Sequence, residues 1–160
     1  MIETDKTYLV MGLLDPDSLA YSIGTTIQSM GGNVIYTVQN EVFKRRFLDR
    51  AGALTDAERD RIDFRFCDIT DDAQVKALFE DVGPLAGIVH SIAFANPRTC
   101  LGEEFHTEAV DDVLLSHHIS CVSLATVLRH AQSNLTGGGS VVSLSFDTKH
   151  VYPFYNWMGV

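Results

Sequence analysis

Five short runs of apolar and β-branched residues alternate along this chain with longer segments of helical periodicity. The predicted strands are Thr7–Met11, Asn33–Val38, Ile62–Cys67, Leu85–Ser91 and Ser140–Ser145. This alternation is typical of a parallel sheet covered by helices on both faces. The sequence therefore predicts an α/β fold, a Rossmann-like doubly wound sheet with strand order 3-2-1-4-5. A ligand is expected at the carboxyl ends of the strands, where the strand order reverses.

Helical periodicity fills the intervals between these strands. The predicted helices are Ser18–Met30, Glu41–Ala51, Asp71–Asp81 and a long helix over Thr107–Leu135. In the long helix, apolar residues recur at intervals of three and four, and the run Gly137-Gly138-Gly139 predicts its end. Thr55, followed three residues later by Glu58, predicts a short capped turn.

Length and composition predict one domain over residues 1–160, because 160 residues with 46% apolar content are enough for one core. The net charge of −9 argues against binding to nucleic acid or to an anionic membrane surface. No apolar run approaches the ~20 residues that a membrane span needs. The N-terminal residues are too acidic for a targeting peptide, so we expect a cytoplasmic protein.

The cysteines Cys67, Cys100 and Cys121 are odd in number and far apart, which indicates neither a disulfide framework nor a CxxC metal site. His117 precedes Cys121 by four residues and could share a helix face with it. Two candidate ligands do not make a metal site, and we expect none.

The turn after the first predicted strand carries Gly12 and, six residues later, Ser18-Leu19-Ala20 at the start of a helix. A dinucleotide fold binds pyrophosphate at such a helix N-terminus. The usual G-x-G-x-x-G pattern is absent, however. Taken alone, Gly12 is equally consistent with a plain tight turn and Ser18 with a plain N-cap.

Further motifs follow the later strands and close the sequence. They are Gln39-Asn40, Asp68-Ile69, the run His90-Ser91-Ile92-Ala93-Phe94-Ala95, and Tyr155 in the final segment. Together with Gly12 and Ser18-Leu19-Ala20, this series resembles the enoyl-acyl carrier protein reductases, a divergent branch of the short-chain dehydrogenase/reductases. The resemblance covers nearly all of this chain but only about the first three-fifths of that fold, ending before its sixth and seventh strands.

The resemblance implies a dinucleotide site at the carboxyl edge of the sheet. By carry-over, the cofactor-binding residues are Gly12, Ser18, Leu19, Gln39, Asp68, Ile69, Ser91, Ile92, Ala93 and Ile119. Gln39 would border the adenosine ribose, and Asp68 and Ile69 would flank the adenine. Ser91 to Ala93 would line the path from pyrophosphate to nicotinamide, although the family usually has glycine where this chain has Ala93.

The expected cofactor is NADH, because Gln39-Asn40 is similar to the NADH-using members. NADP is a less favoured alternative. Glu41 could hold a ribose hydroxyl, whereas Lys44-Arg45-Arg46 could accept a 2′-phosphate or could simply form a solvated helix face.

The resemblance also implies the chemistry. Tyr155 matches the family's catalytic tyrosine, whose hydroxyl donates to the enolate oxygen of an enoyl thioester. Residues expected along the acyl-thioester pocket are Phe94, Ala95, Phe146 and Met158. The family's lysine would fall two positions after Val160, so we expect these 160 residues alone to be weakly active or inactive, and the reading frame to continue.

The implied partner is a thioester of acyl carrier protein or of coenzyme A, and the relatives are homotetramers. Two other functions remain open from the residues alone. One is a short-chain alcohol or keto reductase that uses the same tyrosine. The other is a non-catalytic nucleotide-binding or interaction module.

Overall fold

A five-stranded parallel sheet forms the centre of the computed structural model, which describes residues 2–50, 52–99, 109–145 and 149. The strands are β1 (Thr7–Met11), β2 (Asn33–Val38), β3 (Asp63–Phe66), β4 (Gly87–His90) and β5 (Ser140–Ser143). Their spatial order is β3-β2-β1-β4-β5, and every pair is parallel. The predicted fold class and strand order are confirmed.

Helices and short helical turns connect the strands. They are α1 (Leu19–Ser29), α2 (Glu41–Phe43), α3 (Asp56–Arg59), α4 (Asp72–Asp81), α5 (Val110–His117) and α6 (Ser123–His130), with π-helical turns at Lys44–Leu48 and His118–Val122 and a 3₁₀ turn at Ala131–Ser133. The turn predicted at Thr55 is α3, and Thr55 and Glu58 form its reciprocal capping box.

The core lies on both faces of the sheet. Leu9 and Met11 of β1 belong to one buried cluster, which α4 and α6 complete with residues such as Val75 and Val127. Alternate strand residues point to opposite faces, so Val10 joins the other cluster, which includes Ile27 of α1. The sheet is therefore the middle layer of the fold, with one buried cluster on each face.

The long helix predicted over Thr107–Leu135 is interrupted. Within the described residues it begins at Val110, passes through the π-helical turn His118–Val122, and ends in the 3₁₀ turn that closes at Ser133. Spacings of three and four residues are satisfied on either side of such a turn, so periodicity alone does not predict it.

Candidate cofactor site

Gly12 follows β1 at the point where the strand order reverses. Its N–H donates to Thr37 Oγ1 of β2 at 3.1 Å, and its φ is +93°. A Cβ built on Gly12 would lie 2.2 Å from the carbonyl oxygen of Ser91, which follows β4. Only glycine permits both this φ and this approach, so the ends of β1 and β4 meet through bare backbone.

The N-terminus of α1 faces the same edge of the sheet. Ser18 caps the helix, because its hydroxyl accepts from the N–H of Tyr21 at 3.3 Å and donates to the carbonyl of Asp15 at 2.6 Å. Leu19 begins the helix with its side chain 65% exposed. N–H groups in the first turn of a helix have no intrahelical partner and attract anions. The capping function of Ser18 is confirmed, and its contact with a cofactor stays a prediction.

Asp68 joins the ends of β2 and β3. Its Oδ2 accepts from Gln39 Nε2 at 3.1 Å, and its Oδ1 accepts from the N–H and the hydroxyl of Thr70 at 2.9 and 2.7 Å. Partial burial works to raise the pKa of Asp68, but the hydrogen bonds from Thr70 and Gln39 outweigh it and lower the pKa. The carboxylate is therefore a fixed, charged acceptor, while the neighbouring Ile69 is buried in the core.

The segment after β4 carries Ser91, Ile92 and Ala93. The N–H of Ser91 donates to the carbonyl of Met11 at 3.2 Å, and Ile92 packs against the core cluster on the α6 side of the sheet, as Ile119 does. Ala93 is exposed. The segment thus continues the line of β4 along the carboxyl edge.

Phe94 and Ala95 come next along the same segment. The side chain of Phe94 is 42% exposed, and Ala95 is half-buried. The N–H of Phe94 donates to Ser120 Oγ at 3.0 Å, and Ser120 Oγ donates to the carbonyl of Phe94 at 3.2 Å. These are the described members of the predicted substrate pocket. Tyr155, Phe146 and Met158 lie outside the described residues.

His90, the last residue of β4, is 1% exposed and forms a hydrogen bond between Nε2 and Ser123 Oγ at 2.8 Å. Ser123 Oγ donates its single hydrogen to the carbonyl of Ile119 at 2.6 Å, so Nε2 of His90 must be the donor. Burial lowers the pKa of His90, which favours the neutral ring.

The comparison with protein families decides the class. A family model described as Enoyl-(Acyl carrier protein) reductase matches residues 12–160. The chain belongs to the enoyl-acyl carrier protein reductase family.

Curated members of this family match the chain over almost its whole length. It is 36% identical to enoyl-[acyl-carrier-protein] reductase [NADH] FabI of Bacillus subtilis, over 97% of this chain and 60% of the relative. It is 29% identical to the [NADPH] FabI of Staphylococcus aureus, over 98% and 61%. The chain therefore spans about three-fifths of the length of these relatives, and they include users of both cofactors.

Solved structures of family members share the fold. An enoyl-acyl carrier protein reductase of Anaplasma phagocytophilum in complex with NAD superposes with a TM-score of 0.83 at 30% identity, covering 99% of this chain and 61% of that one. The Bacillus cereus enoyl-acyl carrier protein reductase with NADP+ and indole naphthyridinone gives 0.81 at 31% identity, covering 99% and 62%.

Two members of the basic run that follows the family motif Gln39-Asn40 are paired with carboxylates. Lys44 Nζ lies 2.7 Å from Asp49 Oδ2, and Arg45 Nε lies 2.8 Å from Glu41 Oε1. Arg45 and Arg46 are exposed, as in the solvated helix face considered from the sequence, whereas Lys44 is partly buried and lies over the ring of Phe64.

In the part of the chain that the structure describes, no three His, Cys, Asp or Glu side chains gather as a metal site. Burial raises the pKa of the Cys67 thiol to about 12, with a smaller contribution from Asp68. Among the same residues, no helix has the length and apolar character to cross a bilayer.

Sequence reasoning missed Ser120 and Ser123, which hold the segment after β4. Their partners Phe94 and His90 are 26 and 33 residues away. The available signal is weak: two serines three residues apart in the otherwise apolar pattern of the long helix.

Proposed function

We propose that this chain is the cofactor-binding part of an enoyl-thioester reductase of fatty-acid synthesis that uses NADH. One observation carries the proposal. Gly12 and Ser91 meet where the strand order reverses, and the Gln39–Asp68 pair lies at the same carboxyl edge of the sheet. That edge is where doubly wound folds bind dinucleotides.

The donors and acceptors at this edge fit NADH. The carboxylate of Asp68 accepts hydrogen bonds, which suits the amino group of adenine, and Gln39 beside it suits the adenosine ribose. The first turn of α1, with Ser18 and Leu19, suits the pyrophosphate. Ser91, Ile92 and Ala93 would border the path from the pyrophosphate to the nicotinamide ribose. Ile69 would flank the adenine, and Ile119 would pack beneath the adenosine side. When bound, NADH supplies the hydride that reduces the 2-enoyl double bond.

Tyr155 is the proposed proton donor and stabiliser of the enolate oxygen. The proposal depends on its match to the family's tyrosine, and a phenol hydroxyl is a suitable donor for a developing oxyanion. Phe94, Ala95, Phe146 and Met158 would contact the acyl thioester. Phe94 supports this, because its backbone is hydrogen-bonded by Ser120 while its side chain is 42% exposed.

The proposed substrate is an acyl carrier protein or coenzyme A thioester, and the proposed setting is the cytoplasm. We propose that residues 1–160 form one dinucleotide-binding domain, and the homotetramer that the resemblance implies is the assembly to test. The curated relatives described above carry acyl-carrier-protein in their names.

Titration of the 160-residue chain with NADH, followed by nicotinamide fluorescence, tests the proposal. We expect saturable binding that Asp68→Ala weakens and that Asp5→Ala, a substitution in the turn before β1, leaves unchanged. Alcohol or keto substrates can then be added to the NADH complex in place of a 2-enoyl thioester. If the fluorescence responds to these substrates and not to the thioester, the keto reductase alternative is favoured. Absence of NADH binding by the wild-type chain would refute a dinucleotide role.

A further inference from the structure

The segment Ser91–Ala95 has no regular secondary structure, although it continues a buried strand. Such a segment keeps one backbone conformation only where other groups satisfy its N–H and C=O groups. Backbone hydrogen bonds hold it here, because the N–H of Ser91 donates to the carbonyl of Met11 and Ser120 bonds to Phe94. Gly12 packs against Ser91, and the ring of His90, just before the segment, bonds to Ser123.

Ser120 is unusual among these contacts because one side-chain oxygen serves both backbone groups of one residue. Its Oγ accepts from the N–H of Phe94 at 3.0 Å and donates to the carbonyl of Phe94 at 3.2 Å. A hydroxyl has one donor and can accept as well, so both bonds form together. Ser120 thus makes the two backbone hydrogen bonds that a neighbouring strand would otherwise make with Phe94.

The π-helical turn His118–Val122 carries Ser120, and Ser123 follows directly. The two serines therefore hold the segment near both ends: Ser123 through the ring of His90, and Ser120 through the backbone of Phe94. Between these anchors lie Ser91, Ile92 and Ala93. A π-helical turn inside a longer helix is often associated with a functional site.

We infer that Ser120 is a positioning residue for the dinucleotide site: it fixes the backbone of the Ser91–Ala95 segment before the cofactor binds. The inference rests on the proposed function, because it assumes that this segment borders the nicotinamide end. A segment that is ordered in advance loses less conformational entropy on binding, and the affinity for the ligand is higher as a result.

The test compares Ser120→Ala with wild type in two measurements. The first is hydrogen exchange of the Phe94 amide without cofactor, which reports on the contact itself. The second is the Kd for NADH by nicotinamide fluorescence. We expect faster exchange at Phe94 and a Kd that rises roughly three- to ten-fold, the range of about one neutral hydrogen bond. Ser120→Thr keeps the hydroxyl and should restore both values.

Ser29→Ala is the matched control, because it removes an exposed serine hydroxyl that bonds to a carbonyl of its own helix. It should change neither measurement. Faster exchange with an unchanged Kd would overturn the positioning role, and so would unchanged exchange. Packing would be the cause if Ser120→Ala had a lower Tm that Ser120→Thr did not restore, and if the Kd stayed raised in both variants. That result would also overturn the positioning role. If the wild-type chain binds no NADH, the proposed function fails first, and that result is distinct from each of these.

Discussion

The backbone of Gly12 approaches Ser91 so closely that a Cβ on Gly12 would lie 2.2 Å from the Ser91 carbonyl oxygen. Gly12→Ala should therefore both strain a φ of +93° and force β1 and β4 apart. We expect a loss of about 2–5 kcal/mol in the free energy of unfolding, from the backbone conformation and the overpacking together. Urea denaturation measures it, and NADH affinity should fall as well.

Gly52→Ala is the control for the backbone conformation alone. Gly52 has a φ of +78°, and a Cβ there would have nothing within 4 Å. The expected loss is about 1 kcal/mol with no change in NADH affinity. Equal losses in the two variants would contradict the close-contact explanation.

The sheet could be predicted from the sequence because its strands are compact and buried. β1 and β2 have the predicted bounds, whereas β4 is shorter than the predicted Leu85–Ser91, since only Gly87–His90 pair with Tyr8–Met11 of β1. The pattern of apolar residues in the sequence indicates which residues are buried. Buried residues continue beyond those that form hydrogen bonds to the neighbouring strand.

The contacts that shape the candidate site could not be predicted in the same way. The bonds of Ser120 and Ser123 depend on a π-helical turn and on partners distant in sequence. By contrast, Gln39 and Asp68 could be expected to meet, because each follows one of two adjacent parallel strands.

The preference for NADH over NADPH should depend on the ion pair between Arg45 and Glu41, whose Nε and Oε1 atoms are 2.8 Å apart. We expect the wild-type chain to bind NADH more tightly than NADPH, because this guanidinium already has a carboxylate partner. Glu41→Ala should strengthen NADPH binding by about two- to five-fold, since exposed pairs contribute under about 1 kcal/mol. The Kd ratio of the two cofactors measures this.

Glu80→Ala supplies the matched control, because Glu80 pairs with Lys76 at the same i,i+4 spacing on α4. It should leave the NADH-to-NADPH ratio unchanged. A wild-type preference for NADPH, or a similar response in both variants, would contradict the proposed role of the Glu41–Arg45 pair.

Asn134 should be important for stability although no sequence pattern indicates it. Its side-chain amide is buried and donates to the carbonyls of Phe79 at 2.8 Å and Gly83 at 2.6 Å. Its backbone carbonyl accepts from the N–H of Leu85 at 2.8 Å, a bond that the substitution keeps. Asn134→Ala leaves two carbonyls without these donors and should cost about 2–4 kcal/mol in urea denaturation. The exposed Gln132→Ala should stay within about 0.5 kcal/mol.

A polypeptide of these 160 residues should bind NADH but catalyse its oxidation only weakly. The resemblance implies a lysine two positions after Val160, and a polypeptide of these 160 residues would lack that cation beside the developing negative charge. We expect NADH binding with little oxidation of NADH by a 2-enoyl thioester, measured by nicotinamide absorbance. A polypeptide extended through the lysine and the remaining strands of the relatives should be faster, and family-like rates from the 160 residues would contradict this prediction.

His90 should make stability depend on pH. Burial lowers the pKa of its ring in the folded chain, whereas in the unfolded chain the ring titrates near its ordinary value of about 6.5. As pH falls below that value, the unfolded chain takes up a proton that the folded chain resists. Stability from this group is therefore complete above about pH 6.5 and is lost as pH falls toward and through the folded pKa, with a slope of at most about 1.4 kcal/mol per pH unit.

The decisive measurement is the slope of the unfolding free energy against pH between about pH 7 and 5, because it does not depend on the absolute stability of a variant. His90→Gln keeps an amide N–H for Ser123 but removes the titrating ring, and its slope should be flatter than that of the wild type. His117→Gln replaces an exposed imidazole on α5 and should keep the wild-type slope. If His90→Gln retains the full slope, the dependence arises from other groups. The buried His90–Ser123 contact would then have no part in it.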